Sequence, residues 1–217
     1  MMRMQTKAAT ALYDYWTRQR GERPAPLRAA IEPADIAAIL PDVFILEQSR
    51  LRNPRFRLAG TRFCAQFGRE LKETDFDALF SPDLRSRVAR ITENVMAHAT
   101  PAIMTVQLVD GALETTDAEI VLLPLASKGR TADRIIGAFA PLPGQRQPLS
   151  AFRYATLGSV SVIDPARMRT LAGSRPAVPM PVSVMAVRPS TLGQAFSRVM
   201  HLRIFEGGRN AGEPRER

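Results

Sequence analysis

The side chains that could carry bond-making chemistry are few in these 217 residues: one cysteine, Cys64, and two histidines, His98 and His201. A single thiol excludes an intrachain disulfide and any paired-cysteine zinc motif. The histidines stand in neither HxxxH nor HExxH spacing, so a histidine-based metal site is not expected. Carboxylates cluster at Asp75 and Asp77, on either side of Phe76, and at Glu114, Asp117 and Glu119. Acid–base catalysis needs a carboxylate held out of water beside the reacting group. These carboxylates are expected on solvated loops or on a strand's outer face. The sequence holds no GxSxG, no Ser-His-Asp arrangement and no phosphate-cradling glycine loop. Arg62 and Arg69 could receive an anion, but surface pairing with Glu70, Glu73 or Asp75 is the default. The residues point away from an enzyme.

Charge is the second possible source of function. The formal net charge is +9, from 30 Lys and Arg against 21 Asp and Glu, and only three of the basic residues are Lys. Residues 1–141 carry 19 basic and 17 acidic groups, whereas residues 142–217 carry 11 Arg and 4 acids. A nucleic acid or an anionic surface could exploit that basic third. Its arginines are scattered, so nucleic acid is the alternative and a solvated tail is the expectation. No apolar run approaches the roughly 18–20 residues of a membrane span. The first ten residues hold no uninterrupted apolar stretch of a secretory signal, so a cytoplasmic location is expected.

Periodicity identifies the elements that must position these groups. Ala9, Leu12, Tyr13 and Trp16 share one face of a helix over 6–19, ended by Gly21 and Pro24. That face is expected to dock on the main core, with a dimer contact as the alternative. A short helix is expected between Pro33 and Pro41. Val43–Glu47 and Arg55–Gly60 read as an antiparallel pair around Asn53-Pro54, with Phe56 and Leu58 on one face. Thr61 is expected to cap a helix over 62–67 that Gly68 ends. Leu71, Phe76, Leu79 and Phe80 crowd the following loop and are too apolar to be left in water. Ser81-Pro82-Asp83 starts a long helix with Leu84, Val88, Ile91 and Val95 as its stripe; His98 falls in its last turn, where imidazolium would favour the helix dipole. Strands follow at 103–109, 114–125 and 134–140, the first two joined at Asp110-Gly111. Residues 142–217 hold eight prolines. There the expectation is a Pro/Arg-rich, partly disordered extension with a helix over 192–199 and a strand over 201–205.

The local wording carries a resemblance. Leu12-Tyr13-Asp14-Tyr15-Trp16, Asp35-Ile36 through Leu40-Pro41, Phe56-Arg57-Leu58-Ala59-Gly60-Thr61-Arg62 and Phe67-Gly68-Arg69-Glu70-Leu71 resemble a family of bacterial PAS-like proteins. So do Glu119–Leu125 and Asp133–Ala138. The resemblance covers about residues 10–141. It implies an α+β fold: a five-stranded antiparallel sheet over 43–141 with helices on one face, preceded by a helical extension over 1–42. It also implies a stand-alone sensory or adaptor module in signal transduction, non-enzymatic and acting through signalling proteins. Such domains often pair through N-terminal helices, so a homodimer through the first helix is expected.

Some PAS domains hold haem, flavin or a small metabolite between helices and sheet, and others hold nothing; the sequence does not name a cofactor here. Cys64 lies in Arg62-Phe63-Cys64-Ala65-Gln66-Phe67, which lacks the run used for cysteine–flavin photochemistry. His98 is the one candidate axial ligand within the domain, and a poor one. Any pocket is expected to be walled by Phe63, Phe67, Phe76, Phe80, Ile91 and Val95, with a filled core as the plain alternative.

Overall fold

The computed structural model describes residues 4–48, 53–129, 131–145 and 150–163. The helix expected over 192–199, the strand over 201–205 and most of the basic third lie outside the described residues.

The first helix, α1 (Lys7–Arg20), is capped by the Thr6 hydroxyl, which accepts from Ala9 N, and ends at Gly21, whose φ of 55° suits glycine. Its expected stripe is buried, and Ala8 and Tyr15 are buried with it. The Tyr15 hydroxyl accepts from Glu32 N at 2.8 Å, which ties the following loop back over the helix. The segment between Pro33 and Pro41 is two 3-10 turns, Pro33–Ile36 and Leu40–Asp42. Each has proline in its first turn, so proline starts a new turn instead of closing one helix.

Strands β1 (Val43–Glu47) and β2 (Arg55–Ala59) pair antiparallel, as expected. The register shifts between Ile45 and Leu46, so that Ile45 faces Leu58 while Leu46 faces Phe56. This bulge at Arg57 puts Phe56 and Leu58 on opposite faces. Phe56 is fully buried, whereas Leu58 is 44% exposed, contrary to the shared face read from strict alternation. Helix α2 (Thr61–Gln66) begins at Thr61, with Gly60 and not Thr61 in the capping position. A Cβ on Gly60 would collide with the Pro41 carbonyl, so the close passage of these two segments requires glycine. A 3-10 turn (Phe76–Leu79) follows, then α3 (Arg85–Ala97), which starts after the Ser81–Leu84 turn. Its buried face is Val88, Ala89, Thr92, Val95 and Met96, so Leu84 and Ile91 lie at its margin.

Strands β3 (Ala102–Val109), β4 (Thr115–Leu125) and β5 (Arg134–Pro141) fall as expected. A further strand, β6 (Tyr154–Val162), lies beyond them in the stretch expected to be irregular. The sheet is therefore six-stranded and wholly antiparallel, in the order β2-β1-β5-β4-β3-β6. Ala155 and Leu157 lie two apart, as do Val160 and Val162, but a bulge at Gly158 shifts the parity between the pairs. Simple alternation therefore hides the strand.

Two hydrophobic layers flank the sheet. One, beneath α2, the 3-10 turn and α3, contains Phe44, Leu46, Phe56, Ile120, Leu122 and Phe139. The other, beneath α1, contains Val43, Ile45, Val121, Leu123 and Ile136. Central strands buried on both faces read as nearly continuous apolar runs, as β4 does from Ile120 to Leu125. Trp16 is fully buried in the second layer and its Nε1 donates to the Pro124 carbonyl at 2.8 Å. Pro124 lies beyond the last β3 pairing at Leu122, so its missing N–H breaks no ladder bond there. Among the described residues no helix is long and apolar enough to cross a membrane.

Candidate functional site

Phe63, Phe67, Phe76 and Phe80 lie between the sheet and its helices, each nearly or fully buried. They belong to one network of phenyl rings. Phe63 stacks on Phe139 with centroids 4.3 Å apart, and Phe67 meets both rings. Phe76 touches Phe44, Phe56 and Phe80 at 5.6 to 5.7 Å. Gly137 makes room for this network: it pairs with Phe44 across the ladder, and a Cβ there would overlap the Phe44 ring. Offset and edge-on ring pairs of this kind are stabilising beyond their buried area, by about 0.5–1.5 kcal/mol each. The rings fill the space between the layers.

The other two expected wall residues lie on α3. Val95 is buried and Ile91 half-buried, and both line a surface groove of about 390 Å³ between α3 and β6. Val160 and Val162 of β6 form the opposite wall, and Asn94 and His98 supply its polar edge. Val162 is 71% exposed. The structure thus puts the four phenylalanines and Val95 in one buried layer with Ile91 packed against it, and Val95 and Ile91 also face the groove. The groove is not legible from a reading without β6, because Val160 and Val162 of that strand form one side of it.

His98 caps the C-terminus of α3, its backbone N–H bonded to Asn94 O at 3.0 Å, and its side chain is exposed at the groove. It does not enter the ring network. The Cys64 thiol lies 3.6 Å from Glu70 Oε1 and 3.9 Å from the Ala59 carbonyl. Burial, helped by the Glu70 charge, pushes its pKa up, which keeps it a thiol and a weak nucleophile. Glu70 is held below the ordinary carboxylate range, chiefly by the Lys72 backbone N–H.

Arg62 pairs with Asp42 and not with the acids of the 70–75 loop. Glu73 instead pairs with Arg55 at 3.0 Å and Arg57 at 3.6 Å. Burial raises the Asp42 pKa and the Arg62 charge opposes that rise. Glu119 is the largest departure from the sequence reading: it is 1% exposed, not solvated. Its carboxylate accepts from Gln5 N at 3.0 Å, Thr6 N at 3.0 Å and Thr6 Oγ1 at 2.8 Å. It thereby anchors the start of α1, a structural task. Among the described residues no three His, Cys, Asp or Glu side chains are grouped to hold a metal ion.

Comparison with known proteins agrees with this architecture. A family model described as PAS domain matches residues 4–140, from the start of α1 to the end of β5. Among solved structures, the Rhodobacter sphaeroides LOV protein is similar at 14% identity and a TM-score of 0.40, over 49% of this chain and 64% of that one. An RsLOV variant is similar at 16% identity and a TM-score of 0.39, over 49% and 65%. The chain thus spans less than two thirds of the length of either. No curated protein matches it. A family match running through both hydrophobic layers and five of the six strands makes the assignment: the chain belongs to the PAS domain family.

Proposed function

We propose that this PAS domain is a non-enzymatic adaptor or sensor that works in cytoplasmic bacterial signalling by docking on partner proteins. The observation that supports this reading is the network of phenyl rings packed between sheet and helices. A core so filled favours recognition at the surface over capture of a ligand inside. The titratable groups support it too. Asp42, Cys64 and Glu70 are shifted by their own burial or by local hydrogen bonds, and none of them lines the groove between α3 and β6.

Native mass spectrometry of the purified full chain tests the reading. The expected spectrum is that of the 24.0 kDa chain or a whole multiple of it. A stoichiometric retained small molecule would replace docking with ligand sensing. A two-hybrid screen against the signalling proteins of the host should then return a reproducible partner. Homodimerisation through α1 is part of the same proposal. The apolar stripe of that helix is spent on the sheet, which leaves Lys7, Thr10, Ala11, Asp14 and Arg18 for such a contact. Light scattering decides it.

A further inference from the structure

The groove between α3 and β6 combines an apolar wall with a row of side chains that have charge or hydrogen bonds to offer. Arg87, Ile91, Asn94 and His98 follow at spacings of four, three and four, so they share one face of α3. The last three line the groove, which puts Arg87 at the head of the same row; Arg90 stands one turn before Asn94. Arg87 and Arg90 are exposed, and among the described residues neither makes an ion pair. The one acid of this helix, Glu93, lies off the row of Arg87, Ile91, Asn94 and His98, although it stands three residues after Arg90 and flanks that arginine. β6 brings no charge at all, so the field of the groove is set by α3. Val162, the most exposed large hydrophobic side chain among the described residues, forms part of its wall.

We propose that this groove is the surface on which the domain holds its partner, and that the partner supplies an acidic segment with apolar side chains along one side. The apolar side chains cover Ile91, Val160 and Val162. The carboxylates meet Arg87 and Arg90, where a guanidinium–carboxylate pair gains from being partly desolvated. Asn94 and His98 supply hydrogen bonds at the far end. Charge complementarity selects such a partner: the row from Arg87 to His98 offers positive charge and donors, and the nearest acids along the chain, Asp83 and Glu93, lie outside it. This inference rests on the docking reading above and names its surface.

The probe is a displayed library of random twelve-residue peptides, selected on the full chain and counter-selected on the Arg87→Glu/Arg90→Glu double variant. Both arginines are exposed, so the variant should keep its fold, which circular dichroism checks. Enrichment of peptides mixing Asp or Glu with apolar residues is expected. Synthesised peptides should bind about tenfold more weakly to the double variant and to Val162→Asp, a loss typical of removing a principal contact. Their binding should also weaken with added salt. Selection without acidic enrichment overturns the proposal, as do peptides that bind wild type and double variant equally. A dimer that Val162→Asp dissociates, seen by light scattering, would give the groove to a second copy and also overturn it. The docking reading fails separately, on a retained ligand or on catalytic turnover.

Discussion

The hydroxyl of Thr6 donates to the carboxylate of Glu119 at 2.8 Å while its oxygen accepts from Ala9 N. One side chain thus caps α1 and fastens the helix to the central strand β4. The first turn of the helix and the sheet are joined through this pair, on the face opposite the phenyl network.

Glu119→Ala should therefore loosen α1 more than its neighbours. It strands the N–H groups of Gln5 and Thr6, a cost of about 1–3 kcal/mol. Hydrogen exchange should quicken over residues 5–16 before it does in β3, and Glu119→Gln, which keeps one acceptor oxygen, should lie between wild type and alanine. Equal exchange changes across the whole sheet would contradict this local role.

Trp16 is the chain's single tryptophan and reports on the same helix. Its emission should be blue-shifted in the native state and shift red as α1 undocks. Trp16→Phe keeps most of the buried area and loses the bond to Pro124, so it should cost about 1 kcal/mol beyond its lost volume. Trp16→Ala should cost about 3–5 kcal/mol. Denaturant titration of both variants checks the ratio.

The bulge at Arg57 makes a sharp prediction for two residues that simple alternation treats alike. Phe56→Ala should cost about 3–5 kcal/mol, because the ring is fully buried among Phe44, Phe63 and Phe76. Leu58→Lys should stay within about 0.5 kcal/mol of wild type. Thermal melts that rank Leu58→Lys as the worse variant would place the bulge elsewhere.

Asp42 predicts a pH dependence. Burial raises its pKa above the ordinary aspartate value, against the pull of Arg62. The folded protein therefore holds that proton more tightly than the unfolded chain does. The stabilisation is present below the unfolded value, about 4, and is withdrawn as pH rises through the folded one. Asp42→Asn removes this titration. Its stability relative to wild type should improve as pH climbs from acid to neutral, measured by urea unfolding at each pH.

Gly137 should tolerate no larger residue. Gly137→Val drives a side chain into the Phe44 ring, and overpacking of this kind costs about 1–3 kcal/mol or more. A variant melting at the wild-type temperature would mean that the ring has another place to go.

Most of the fold was legible in the sequence because its signals are local. The Trp16 stripe, the Val43–Glu47 run and the Asp110-Gly111 hairpin each state their structure within a few residues. Legibility failed where a single residue changes the count. Arg57 moved Leu58 to the other face, and Gly158 concealed β6 and with it one wall of the groove. It failed again where the partner is remote. Glu119 looks like a solvated strand residue until the chain brings Thr6 to it across 113 positions. The phenylalanines were recognised as one group, but whether such rings surround space or occupy it depends on volume, which residue types do not state.

The kink at Gly158 also bears on how the molecule behaves in a crowded solution. Runaway growth of a sheet from copy to copy needs a long, flat, uninterrupted ladder on an outermost strand. Gly158 breaks that ladder near the middle of β6. Shortening the strand by that one residue would restore regular spacing without turning its valines around. Such a protein should still fold, yet it would offer neighbouring copies a straighter edge, since a bulge is one of the devices that blunt an edge strand.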